Sequence, residues 1–234
     1  MFIQNKKVLF LALTVLSSYT SLTHAASIDF RHEYKSDSQA NANRIKISGS
    51  SGNDYFSVEM KYSGSEGSSG GFNNLERGDS EFEYGHKFKL NDKWLIQPSM
   101  PITMGNEKTS FKPQVRVYYY FDSGITAKVR YRYKYTHYTD DNGSDSQRLG
   151  EITTNLTYTW DKLVQLDFES DYSKSYDGIA QFNNKDYNYY YNLKLGYKIP
   201  NSKWRPYVEF GNVSVSSSSD ERQLRSRLGI TYSF

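Results

Sequence analysis

Cysteine is absent from the 234 residues, so neither a disulfide framework nor thiol chemistry is open to this chain. Long apolar runs are scarce as well. The only one is Val8–Leu16, preceded by Lys6 and Lys7 and followed by the small-residue stretch Thr23-His24-Ala25. It is shorter than the roughly 20 residues of a spanning helix and has the layout of a secretory signal peptide, expected to be cut after Ala25. Residues 1–25 are therefore expected to be a leader and residues 26–234 one domain. Beyond the leader no run is long enough for a helical membrane span. An excess of either charge is missing too. With Lys6 and Lys7 gone, the remainder is almost neutral, so any electrostatic function must come from where the charges stand.

What the chain has in quantity is aromatic residues: 22 Tyr, 13 Phe and 3 Trp, in a sequence whose mean hydropathy is −0.76. An exported chain both polar and aromatic is either a soluble β-protein or a transmembrane β-barrel. The stretch TAKVRYRYKYTH, residues 126–137, shows how the two properties coexist. Lys128, Arg130, Arg132 and Lys134 alternate with Val129, Tyr131, Tyr133 and Tyr135. A period of two is that of a strand, whose successive side chains point to opposite faces.

The same alternation recurs in runs near 28–34, 43–49, 55–62, 81–90, 94–102, 111–121, 125–135, 151–160, 163–172, 187–198, 204–213 and 223–234. Examples of the apolar parity are Phe56/Val58/Met60/Tyr62, Leu156/Tyr158/Trp160 and Leu228/Ile230/Tyr232/Phe234. That parity holds no Lys, Arg, Asp or Glu in any of these runs. A soluble sandwich tolerates a few charges at strand ends, whereas a lipid-facing surface penalises Arg or Lys by about 2–4 kcal/mol at mid-membrane. Connectors alternate long (35–42, 63–80, 103–110, 136–150, 173–186) and short (50–54, 91–93, 122–124, 161–162, 199–203), as outer loops and periplasmic turns do. Trp94, Phe121, Trp160 and Trp204 fall beside the short turns, where an interfacial girdle belongs. The expected fold is all-β, a transmembrane antiparallel barrel of twelve strands, alone in its membrane because closure leaves no edge to pair.

With the aromatic parity toward lipid, the opposite parity lines a lumen in which basic residues outnumber acidic ones. Arg31, Arg44, Lys46, Arg116, Lys128, Arg130, Arg132, Lys134, Arg225 and Arg227 are the expected pore-lining, substrate-binding residues. Clustered like charge in a watery channel selects the opposite sign, and arginine's planar fork suits carboxylates. Lys87, Lys89, Lys112 and Lys198 share this parity, and Tyr118, Tyr120, Tyr190 and Tyr207 offer faces for sugar rings. Salt-bridge networks that merely fill the lumen are the bland alternative; against it, the 126–135 ladder carries no acid.

Other chemistries have less support. Hydrolysis needs a nucleophile with a histidine partner, and after the leader only His32, His86 and His137 remain, the first two with lipid-facing parity. The run Asp140–Asp145 (DDNGSD) offers oxygen ligands for a cation but not a full set, and reads as a solvated turn. No catalytic residue, metal or cofactor is expected, and nucleic acid is an improbable partner for an exported barrel.

The segment SIDFRHEY after the leader, the end RPYVEFGNVSVSSSSDERQLRSRLGITYSF and, between them, VRYRYK resemble the oligogalacturonate-specific porins of Gram-negative bacteria. The resemblance implies a small monomeric twelve-stranded channel of the cell outer membrane, embedded in its lipid and passing acidic oligosaccharides. It also implies arginine tracks, here on Arg31, Arg116, Arg130, Arg132, Arg225 and Arg227. A related branch serves sialic acid, which keeps another acidic sugar open as cargo; a structural or adhesive barrel without transport is the remaining alternative.

Overall fold

The computed structural model describes residues 25–64, 75–139 and 146–234. Residues 1–24 of the expected leader and the run Asp140–Asp145 lie outside them. The regular elements described are all strands: β1 (Ala25–Lys35), β2 (Asn41–Ser51), β3 (Asp54–Gly64), β4 (Leu75–His86), β5 (Phe88–Lys89), β6 (Trp94–Met104) and β7 (Lys108–Phe111). They continue with β8 (Gln114–Tyr120), β9 (Ile125–Tyr138), β10 (Gln147–Trp160), β11 (Val164–Ser175), β12 (Tyr187–Tyr197), β13 (Trp204–Ser214) and β14 (Arg222–Ser233). The short β5 prolongs β4 past Lys87, and β7 and β8 form one stave interrupted at Lys112-Pro113, so twelve staves result. Pro113 has no N–H to give a ladder, and the chain steps across it.

Each stave is antiparallel to the next, and β14 returns to β1 with Tyr232 opposite Ile28 and Arg227 opposite Glu33. Closure leaves no unpaired edge, the condition for strands to cross lipid. The turns on the side of Phe234 are tight. At Asp161-Lys162 both residues take positive φ (48° and 60°) and Leu163 N donates to Trp160 O at 2.9 Å, a two-residue turn of the kind that matches strand twist.

The expected twelve runs match the staves in number and order, with two differences. Residues 103–110, expected to be a long loop, are largely strand: β6 runs to Met104, β7 begins at Lys108, and Gly105 N donates to Lys108 O at 2.9 Å. The inward residues there, Thr103 and Ser110, are small and hydroxylated, so no apolar alternation marks the strand. Ser110 is held to Thr136 by a 2.8 Å hydroxyl hydrogen bond. Further, β4 begins at Leu75, several residues earlier than expected. An irregularity in its pairing with β3 between Met60 and Tyr62 breaks the two-residue period in that stretch.

Burial is inverted relative to a soluble domain. Leu156, Leu193, Leu195, Phe210 and Leu228 are exposed on the outside, while Glu59, Gln97, Gln114, Asp171, Asn192 and Glu209 are buried within. Aromatics belt the end with the tight turns: Trp94 packs on Tyr119 at 4.7 Å, Trp204 on Tyr232 at 4.6 Å, and Tyr232 on Phe234 at 5.2 Å. Inside, large rings are kept flat against the wall by glycines opposite them. A Cβ on Gly229 would lie 2.2 Å from the Tyr207 ring, and one on Gly85 2.4 Å from that of Tyr55. Any side chain at either position would push a ring into the channel.

Leu193→Arg, at mid-height on the lipid-facing side of β12, is expected to lower folding stability in bilayers by about 2–4 kcal/mol. Urea titration of the heat-modifiable gel band measures this, and an unchanged midpoint would contradict the assigned parity.

Candidate functional site

In an antiparallel ladder, inward residues of neighbouring strands stand directly opposite one another. Two such pairs here are arginine against arginine: Arg31 opposite Arg44 between β1 and β2, and Arg116 opposite Arg130 between β8 and β9. Like charges in that relation are destabilising. The two pairs lie five of the twelve staves apart, close to half a turn, on facing walls. A lumen cavity of about 510 Å³ is lined by Arg31, Arg44 and Arg227 on one side and by Lys128, Arg130 and Arg132 on the other.

The structure thus brings six of the ten expected lining residues around one cavity. Lys46 and Arg116 line a second cavity toward the periplasmic end. Arg225 stands above Arg227 and donates from Nη2 to Asn192 Oδ1 at 2.6 Å, its guanidinium 5.4 Å from the Tyr190 ring. Lys134 sits higher on β9, in register with Leu149.

The ladder on β9 is not left facing only water. Glu151 on β10 stands in register with Arg132, 3.5 Å away, and also accepts from Arg130 Nη2. Asp171 lies 3.8 Å from Arg130, and Asp167 lies 3.3 Å from Lys128. The strand lacks acids, but its neighbours supply them. On the other wall, Arg227 is clamped between Glu33 (2.6 Å) and Glu209, and Arg44 bonds Asp29 and stands 3.3 Å from Glu59. Arg31 is different: among the described residues it has no carboxylate within 4.0 Å, and the residue opposite it on β14 is Gly229. The Nε atoms of Arg31, Arg44, Arg130 and Arg225 are buried without a partner.

Two cations expected in the lumen stand outside it. Lys89 pairs with Asp92 at 2.7 Å in an exposed turn, and Lys198 is exposed past the end of β12, where the inward period has lapsed. Lys112 does point inward and bonds Glu81 at 2.8 Å. Tyr207, expected to offer a face to sugars, is a wall tile instead: it is 3% exposed, pressed on Gly229 and covered by Lys194 Nζ at 3.7 Å from the ring centre. Tyr190 keeps its place on the cavity.

Gln114 carries no charge, so the count of basic and acidic residues does not single it out. It accepts from Arg132 Nε at 2.7 Å and donates to Glu83 at 2.9 Å and Ser99 at 2.8 Å, which ties the ladder to the next stave. Its inward parity was readable. The histidines stand apart from one another: His32 beside Asn43 (2.9 Å), His86 beside Asp54 (2.7 Å), and His137 3.5 Å from Ser146.

A closed twelve-stave barrel with an apolar outside, an aromatic belt and a charged, water-accessible interior is an outer-membrane porin. Residues 19–234 match the family described as oligogalacturonate-specific porin protein (KdgM), and the chain belongs to that family. It is 35% identical over 237 residues to the uncharacterized protein YiiY of Salmonella typhimurium, with 98% of each chain covered. It is 32% identical to the oligogalacturonate-specific porin KdgM of Dickeya dadantii, over 97% of this chain and 99% of that one. A solved KdgM porin in complex with disordered oligogalacturonate aligns with a TM-score of 0.68 at 25% identity, covering 89% of this chain and 99% of the other. The expected family, barrel and outer-membrane location are met.

Arg227 and Arg225 are neighbours of one parity with opposite surroundings, and their removal separates clamp from free cation. Arg227→Ala strands Glu33 and Glu209 and is expected to cost on the order of 3 kcal/mol. Arg225→Ala loses one hydrogen bond and costs less. Urea midpoints of refolded protein measure both; equal losses would refute the clamp.

Proposed function

We propose that this porin passes acidic oligosaccharides, oligogalacturonates foremost, and that the facing arginines guide them through the lumen. The observation that carries this reading is that Arg31, Arg44 and Arg227 face Lys128, Arg130 and Arg132 across one cavity, each wall holding an arginine–arginine register. A fold has no structural use for a like-charged cross-strand pair, but an oxyanion offers acceptors to both members and to the unpartnered Nε donors of Arg31, Arg44 and Arg130. A sugar acid with a carboxylate on each ring can engage both walls simultaneously, and a neutral oligosaccharide of the same size cannot.

The residues divide the work. Carboxylates hold Arg44, Arg130, Arg132 and Arg227 extended along the wall, so less side-chain freedom is lost when an anion arrives. Arg31, Arg116 and Arg225 have no such partner and carry the undivided positive charge. Weak contacts at several successive cations let a polyanion enter and also leave, as conduction requires. The relative from Dickeya dadantii is named for oligogalacturonate, which favours that cargo over other acidic sugars. Residues 1–25 are proposed to be the leader removed on export.

Liposome swelling tests the guide against a plain hole. Arg31→Gln combined with Arg116→Gln removes one free cation from each wall. Oligogalacturonate uptake is expected to fall several-fold, while a neutral oligosaccharide of equal size passes at least as fast; equal effects on the two sugars would refute guidance. Sialic acid run in parallel tells whether any sugar carboxylate suffices.

Arg130→Glu with Arg132→Glu is expected to move the reversal potential in a salt gradient toward cation selectivity. The shift should be larger at low salt, where the Debye length is longer. No shift would mean that the ladder does not face the conducting path.

A further inference from the structure

We propose that the periplasmic half of the lumen holds a second carboxylate-binding station, built by Lys87, Arg116 and Lys46 beside Tyr55 and Tyr118. This rests on the reading that acidic sugars pass the channel. The station occupies a cavity of about 510 Å³ whose lower rim is formed by Ser27 of β1 and Ser233 of β14, on the side of the tight turns. It is distinct from the cavity between the facing arginine walls.

The two compartments differ in how their cations are employed. In the upper one, Arg44, Lys128, Arg130, Arg132 and Arg227 have carboxylates within 4.0 Å, and among its cations only Arg31 and Lys194 have none among the described residues. The lower cavity has one acidic residue in its lining, Glu83. Its carboxylate is taken up by neutral donors: Tyr55 Oη at 2.6 Å, Ser99 Oγ at 2.9 Å and Gln114 Nε2 at 2.9 Å. Neither Lys87 nor Arg116 has a carboxylate within 4.0 Å among the described residues. Arg116 gives only a 3.3 Å hydrogen bond to Tyr118, and Lys46 stands at the 4.0 Å limit from Glu59.

Aromatic and cationic groups converge here. Lys87 Nζ lies 6.0 Å from the centre of the Tyr55 ring, itself held against the wall over Gly85. Such a surface takes an acidic sugar by both of its characters, the carboxylate on the cations and the C–H face on a ring. Because Arg116 and Arg130 are in register, a carboxylate can pass from the upper wall to the lower station in one step. The last contacts before the periplasm are thus less neutralised than those in the middle, so the channel is asymmetric toward anions.

Planar-bilayer recording tests this, with trigalacturonate added to the periplasmic side alone at low salt. Wild-type channels are expected to show current blocks from that side. Lys87→Gln should shorten their dwell time by about threefold, the scale of one exposed ionic contact; Lys46→Gln with Lys87→Gln should shorten it further, and Lys87→Arg should restore it. Heat-modified gel mobility checks that each variant is folded. Unchanged dwell times in the double variant would overturn the station and leave the acidic-sugar reading standing. Wild-type channels that no acidic sugar blocks from either side would overturn both.

Discussion

The pairing of β14 with β1 is the constraint on which the rest depends. Within hydrocarbon an unpaired backbone N–H or C=O costs several kcal/mol, and a row of them along an open seam could not be tolerated. Ser27 to Lys35 pair with Ser233 back to Arg225, and the sheet has no edge. Once it closes, one face of every strand meets lipid and the other meets water, so a single choice of parity commits each side chain. The seam also sets the electrostatics of one wall, since it places Glu33 beside Arg227 and leaves Arg31 facing a glycine.

Within that closed wall the charges follow two rules. Four lumen guanidinium groups, those of Arg44, Arg130, Arg132 and Arg227, are paired with carboxylates on neighbouring staves, as Arg227 is with Glu33 and Glu209 or Arg130 with Glu151. These bridges stiffen long side chains that otherwise carry about 2 kcal/mol of rotamer entropy. Arg31, Arg116, Arg205 and Arg225 have no carboxylate within 4.0 Å among the described residues, and the first two stand opposite another arginine. Water and salt in the lumen weaken the repulsion, so the barrel tolerates these pairs, whereas a dry core would not. Unneutralised cations interspersed with braced ones are what the proposed guidance of anions requires.

The aromatics divide in a similar way. Outside, Trp94, Trp204 and Tyr232 belong to the belt at the membrane boundary. Inside, Tyr55 and Tyr207 are pinned flat over glycines and define the bore by staying out of it. Their type and inward parity are plain in the sequence, but which ring tiles the wall and which stays open to a sugar is not. Tyr207 is covered because Lys194, two strand positions from Asn192, reaches across to it. Tyr190, with the same parity, lines the same cavity but is less buried, its ring 5.4 Å from the Arg225 guanidinium.

How much was legible follows from the range of each interaction. Alternation is local, so the twelve staves, the lipid face and the inward parity of the basic residues could be read along the chain from runs such as that around Arg130. Where local signal fails, so does the reading: the hydroxyl-lined strand through Thr103 and Ser110 looked like a loop, and the irregularity beyond Met60 hid the start of β4. The partners of the charges are another matter, because they depend on register between strands that are separate in sequence. Nothing near Arg132 announces Glu151, and nothing near Arg31 announces Arg44 or Gly229. The sequence by itself determined a barrel with a basic lumen, because a two-residue period sorts side chains by face without reference to any other strand. Only the tertiary structure decided which cations are neutralised and which remain free, because a Coulomb pair is set by distance across the sheet, and that distance exists only once the strands are in register.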